Sequence, residues 1–217
     1  MPFCGLALLV ARKWPPLQSA DASFEAVVHR LALSDSWLVE LARALTFLGN
    51  TSTRIVVTAI VVAALLARRA WRLAMYLGGT AWLGSGLSTL IKTVVERTRP
   101  ALPDPIATAG GASFPSGHAM GAMVLYGALL LVILPALRPV TRRWAWAMTV
   151  LLILGVGASR VVLGVHYLSD VVGAWILGLA WLAISTAVFN LFRTETGQRS
   201  LRSALEGVEP EEAARLR

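Results

Sequence analysis

The chain has 217 residues, 56% of them hydrophobic and only 15% charged, with eight tryptophans and a mean hydropathy of +0.66, a mix that excludes an ordinary soluble domain. Its net charge of +8 does not point to nucleic acid, because the basic residues sit in short clusters between apolar runs and form no aromatic-interleaved stripe. The single Cys4 excludes an internal disulfide and a cysteine-based zinc cluster, and reads as an ordinary small apolar residue.

The amino-terminal MPFCGLALLVA is apolar, but eleven residues at 1.5 Å each cover only about half of a ~30 Å hydrocarbon core. It lacks a basic leading region, so it reads as a truncated or partly inserted first helix and not as a signal peptide. Residues 14–50 combine helical apolar spacing with scattered charges, as expected of helices lying at the membrane interface. Five runs without charge follow, at 55–67, 73–91, 119–137, 144–159 and 171–192. Each predicts a membrane span, the first and fourth by borrowing flanking residues. The fold expected is therefore all-α, an integral membrane bundle of five to six transmembrane helices. Trp71, Trp144 and Trp146 lie near span ends and read as an aromatic belt. From 193 to 217 the chain turns to Arg and Glu, as expected of a solvated, weakly ordered tail. The division is thus 1–50, an apolar start and interfacial helices; 51–192, the membrane-embedded domain; and 193–217, a polar tail.

If the spans alternate, eleven of the 20 Lys and Arg, from Arg68 and Arg69 through Arg138 to the tail, share one side, with nine on the other. The positive-inside rule makes the first side cytoplasmic. Residues 92–118 and 160–170 then meet at the outer face of the cell membrane.

Those two segments hold the informative residues. In KTVVERTRP, Lys92 and Arg99 are seven apart, which puts two cations on one helix face about 10 Å apart before Pro100 stops the helix. They fit an anion site or, equally, interface anchors that snorkel. Arg97 falls off that face and reads as facing solvent or headgroups. In FPSGH, Ser116 is a helix cap, Gly117 admits a ligand to the backbone, and the free amides behind them fit a phosphate. A capped helix after a turn reads the same way, and His118 alone fits an interfacial histidine. In SRVVLGVHYLSD, Arg160 interrupts an apolar run and needs an anion or a polar cavity. His166 and Asp170 are four apart, so the carboxylate can orient one ring nitrogen and leave the other as a nucleophile, although a surface ion pair has the same spacing. The Pro- and Gly-rich stretch 101–112 reads as a connector in preference to a lid.

Three cations, a serine and amide nest and two imidazoles match the needs of phosphoryl transfer. Over residues 51–192 the sequence resembles the type 2 phosphatidic acid phosphatase superfamily, through KTVVERTRP, PSGH and SRVVLGVHYLSD in that order, with Lys92, Arg99 and Pro100, then Pro115 to His118, then Ser159, Arg160, His166 and Asp170 all matching. The resemblance implies a haloperoxidase-like helical core and a lipid phosphatase acting through a phosphohistidine. By carry-over His166 is the nucleophile, Asp170 its orienter and His118 the general acid. Lys92, Arg99, Ser116, Gly117 and Arg160 then bind the phosphate. It implies no metal or other cofactor, and the site segments offer only Glu96, Asp104 and Asp170 as acids. The partners expected are the lipid bilayer and a membrane lipid phosphate, with undecaprenyl diphosphate, phosphatidic acid or phosphatidylglycerol phosphate in view. Oligomeric state is left open. A phosphotransferase with the same histidine chemistry and a transporter using buried charges are the alternatives; the related vanadium haloperoxidases are soluble, whereas this chain is not.

Overall fold

The computed structural model describes residues 2–195, 207 and 208, which form eight α-helices and one short 3-10 turn, with no strand among the described residues. The helices are α1 (Pro2–Ala11), α2 (Pro15–Ser34), α3 (Ser36–Gly49), α4 (Thr51–Ala67), α5 (Trp71–Val95), α6 (Gly117–Ile133), α7 (Pro139–Val162) and α8 (Leu168–Glu195).

The axis of the bundle is α6. It is apolar on every side, so it gains by burial all round, and 67% of its spanning window is buried against 33% for α7 and 39% for α8. Helices α3, α4, α5, α7 and α8 all pack on it. Small residues allow the close approach: a Cβ on Gly127 would meet Leu182, and one on Gly178 of α8 would meet Met123, both within 3 Å. The outward faces carry exposed large apolar residues, among them Ile60, Trp82, Leu151, Leu179 and Leu191. That inverted surface is what a lipid solvent demands and water forbids. Trp71 and Trp144 are exposed at the starts of α5 and α7.

Three described helices, those containing α6, α7 and α8, are long and apolar enough to cross a membrane, and α3 with α4 forms a fourth candidate as a pair bent by 48°. Thus α3 is a candidate arm of a bent span or re-entrant loop, in a stretch that the sequence reads as interfacial. The break falls at Asn50, whose extended backbone ends α3 while Thr51 opens α4. Helix α5 has 25 residues, but Gly, Ser and Thr dilute its apolar content. Helix α1 packs on α8, with Phe3 stacked on Phe114 at 5.9 Å between ring centroids.

Helix α2 turns Asp21, Glu25 and His29 inward, all three buried, because residues four apart share a face and that face covers the start of α8. The tail expected to be solvated lies mostly outside the described residues; beyond α8 the two that are described, Gly207 and Val208, are near or in the core, with the Val208 amide donating to Leu131 O at 2.9 Å.

Candidate active site

The residues picked out from the three sequence segments converge at one end of the bundle, around the start of α6, the end of α7 and the start of α8. The chain reaches this arrangement by a route that helical spacing did not foresee. Helix α5 stops at Val95, five residues before Pro100, because Glu96 takes a left-handed conformation (φ 46°). Arg99 therefore sits in the loop and not two helical turns above Lys92. The two cations still meet: Lys92 Nζ donates to Ala112 O at 2.6 Å, and Arg99 Nη2 to the same carbonyl at 3.4 Å. Arg99 also donates to Gly110 O and Gly111 O. The segment expected to be a mere connector thus supplies the carbonyls that hold both cations.

His166 is likewise off the helix. It lies in the turn between α7 and α8, after Gly164, whose φ of +69° and whose contact with Leu102 both favour glycine. Asp170 is in the first turn of α8, where the helix dipole favours a carboxylate. His166 is 2% and Asp170 0% exposed. His166 Nδ1 stands 3.4 Å from Asp170 Oδ2, and Nε2 stands 3.1 Å from Arg99 Nη1. The hydroxyl of Ser113, absent from the sequence reading, bridges the pair: it donates to Asp170 Oδ2 in a short hydrogen bond and lies 3.3 Å from His166 Nδ1. The Tyr167 amide also donates to Asp170 Oδ2, at 3.0 Å. Burial holds the His166 imidazole down at about 4, with Arg99 and Arg160 acting the same way against the pull of Asp170. It is therefore neutral at physiological pH. Because the folded value lies below the ordinary 6.5, this stability is full above pH 6.5 and is lost as pH falls toward about 4.

Arg97 overturns its reading as a solvent-facing residue. Its side chain is 11% exposed and bridges two buried carboxylates, Nη1 to Asp170 Oδ1 and Nη2 to Asp21 Oδ2, each at 2.7 Å. It also donates to Ser169 Oγ and lies over the Tyr167 ring at 4.2 Å. Asp21 in turn accepts from the Ser169 amide and hydroxyl. A chain Asp21, Arg97, Asp170, His166 thus runs from α2 into the site. Helical periodicity assigned Arg97 to the wrong face because the helix had already ended.

Behind this chain sits Glu25, buried, with Oε1 unpartnered. Burial pushes its carboxyl up to about 7, repulsion from Asp170 and Asp21 adds to the effect, and Arg97 opposes it. A raised folded-state value means that its contribution to stability is full below about 4.5 and is lost as pH rises through about 7. Glu25→Gln is accordingly expected to melt at a higher temperature than wild type near pH 8 and at a similar one near pH 5. Equal melting points at both pH values in detergent would remove the buried-acid interpretation.

The remaining residues stand around the start of α6 and the end of α7, with Gly117 and His118 lining a groove. Ser116 is fully buried and caps α6, its hydroxyl accepting from the Ala119 amide at 3.4 Å, while its own amide donates to Asp170 O. Gly117 faces Lys92, whose Cε is 3.9 Å from where a Cβ would stand. His118 Nε2 is 2.9 Å from Asn50 Oδ1 at the α3/α4 break. Arg160 donates to Thr46 Oγ1 and keeps a buried Nε without a partner. Asn50 and Thr46, like Asp21, come from the first 50 residues, a stretch in which the sequence carried no motif to reveal them. Among the described residues no cluster of three or more His, Cys, Asp or Glu is arranged to hold a metal.

Known proteins resemble this chain in sequence and fold. Residues 69–193 match the model of the PAP2 superfamily. Phosphatidylglycerophosphatase B of Bacillus subtilis is 30% identical over 179 residues, 80% of this chain and 85% of that protein. Decaprenylphosphoryl-5-phosphoribose phosphatase of Mycolicibacterium smegmatis is 37% identical over 141 residues, 60% of this chain and 68% of that one. An undecaprenyl-diphosphatase of Sulfolobus acidocaldarius is 35% identical over 71 residues, 33% of this chain and 30% of that one. The crystal structure of a transmembrane PAP2-type phosphatidylglycerolphosphate phosphatase from Bacillus subtilis superposes with a TM-score of 0.78 at 25% identity, covering 91% of this chain and 96% of that one. With its fold, its three ordered motifs and its matched length all in agreement, the chain belongs to the PAP2 superfamily, whose relatives here are named as lipid phosphatases and diphosphatases.

Proposed function

We propose that the chain is a phosphohydrolase of membrane lipid phosphates or diphosphates that works through a phosphohistidine on His166 at the outer face of the membrane. The observation that carries this reading is the state of His166: buried, neutral, with Nδ1 toward Asp170 and Ser113 and Nε2 toward Arg99. An imidazole so held presents one lone pair to a phosphate that a guanidinium can position. In the first step Nε2 attacks phosphorus and the bond to the leaving oxygen breaks, while His118 gives that oxygen a proton. Water then attacks the phosphohistidine, His118 takes its proton, and the P–N bond breaks to release phosphate and neutral imidazole. Lys92, Arg99, Arg160, Ser116 and the Gly117 amide bear the charge of the equatorial oxygens.

The same reading makes α5 a further crossing, for five in all, with α1 as a short sixth element. Support comes from its alignment with α6: Lys92 lies beside Gly117 at one end, and Leu73 shares a cluster with Leu131 and Val132 at the other. The basic excess at residues 68–72 and 138–143 supports the reading that the opposite end, with the site, faces outward.

The test is release of inorganic phosphate by protein in detergent with EDTA present, from undecaprenyl diphosphate, phosphatidic acid and phosphatidylglycerol phosphate. Turnover of at least one lipid is expected; none would overturn the hydrolase reading, and label appearing only on an added lipid alcohol would replace it by a transferase. Asp170→Asn is expected to lower kcat by about a hundredfold or more with a smaller change in KM, because the orienter acts as His166 attacks. A rise in KM with kcat intact would contradict that role.

A further inference from the structure

One charged residue beside this site is used by none of the steps above. Arg54, in the first turn of α4, lines a groove of about 620 Å³ between α4, α5 and α6 that also contains Lys92, Gly117 and His118. Its guanidinium is half-buried, and among the described residues no carboxylate pairs with it. Its donors go to Gly49 O at 3.1 Å, Thr51 Oγ1 at 3.3 Å and Ser85 Oγ at 3.5 Å, two of them long, neutral contacts. An arginine at membrane depth without an anion is costly, so its place calls for a ligand charge.

The position of that charge is fixed by Gly121. A Cβ there would lie 1.9 Å from Arg54 Nη1, so the guanidinium rests directly on the α6 backbone. Gly121 is three residues beyond His118, about 4.5 Å farther along the helix. From Thr51 to Val62 the groove continues some 16 Å along α4, and its walls turn to Val62, Gly78, Val124 and Leu125. The order along the groove is therefore a cationic pocket, the imidazole on the leaving-group side, a second cation, and then an apolar slot.

We propose that Arg54, with Thr51 and Ser85, forms a second anion subsite that binds a phosphate lying between the scissile phosphate and the lipid tail. This rests on the hydrolase reading and narrows it to lipids carrying two phosphates in series. The second group is either the inner phosphate of a polyprenyl diphosphate or the diester of a phosphatidylglycerol phosphate. Phosphatidic acid, with one phosphate, leaves Arg54 without its partner.

The test compares kcat/KM for those three lipids in wild type and in Arg54→Ala, Arg54→Lys and Gly121→Ala proteins. The preference for two-phosphate lipids over phosphatidic acid is expected to fall about ten- to a hundredfold in Arg54→Ala, the size of a lost charge-assisted contact. The loss should be smaller in Arg54→Lys, with a fall also in Gly121→Ala, where the guanidinium is displaced but the charge kept. A loss confined to the diphosphate or to the diester identifies which of the two the subsite takes. An unchanged preference overturns the subsite, whether total activity falls or not. Binding of the same lipids to His166→Ala protein, with and without Arg54→Ala, reads the subsite apart from turnover. Absent turnover with an Arg54-dependent preference in binding would sink the hydrolase reading alone.

Discussion

Replacing His166 by alanine is expected to lower phosphate release by about 10⁴-fold or more while the protein still folds, since in the proposed covalent mechanism the nucleophile has no substitute. The fold tolerates the change because Asp170 is not abandoned. Its Oδ1 keeps Arg97, and its Oδ2 keeps the Ser113 hydroxyl and the Tyr167 amide. The imidazole that leaves is neutral at physiological pH, held down to about 4 by burial, so no ion is orphaned. Phosphate release and thermal unfolding in detergent, measured side by side, check both halves. Release within tenfold of wild type would remove His166 from the nucleophile's role.

The second large effect belongs to Arg97→Ala, and here stability carries it. Arg97 is the shared counter-ion of Asp21 and Asp170, both buried. Removing one partner of a buried ion pair strands the other, at a cost of about 3–5 kcal/mol. Here two carboxylates are stranded, next to an already protonation-prone Glu25. Arg97→Lys should recover part of the loss, because one ammonium cannot reproduce two guanidinium contacts in different directions. Asp21→Asn should harm the Arg97→Ala protein less than it harms wild type, a coupling that a double-mutant cycle measures. An Arg97→Ala protein as stable as wild type would show the bridge to be idle.

The contrast between His166 and Arg97 marks what the sequence made legible. The class of fold, the membrane setting and the meeting of two distant segments followed from apolar run lengths and charge placement, because the bilayer imposes lengths that composition displays. Lys92, Arg99, His118, Arg160, His166 and Asp170 stood out because ionisable groups are rare there. Local geometry was less legible. Helical periodicity runs on neither past Val95 nor back before Leu168; the first break turns Arg97 to another face, while the second leaves His166 still beside Asp170, 3.4 Å away. The inward turn of Asp21, Glu25 and His29 was also hidden, since three polar residues on one face look the same toward water as toward a polar site. Ser113, Asn50, Thr46 and Arg54 carry no spacing rule at all, and only packing brings them in.

Those late arrivals bear on where the working unit begins. The family match opens at residue 69, and every motif lies beyond it. Yet the carboxylate facing Arg97, the hydroxyl facing Arg160, the amide facing His118 and the groove's inner cation stand at 21, 46, 50 and 54. A fragment cut at the family boundary would keep the whole signature and lose four of its supports. The motifs are therefore a label carried by one part of the chain, while the contacts that hold them in place are distributed across it, and the amino-terminal quarter braces residues it never neighbours in sequence.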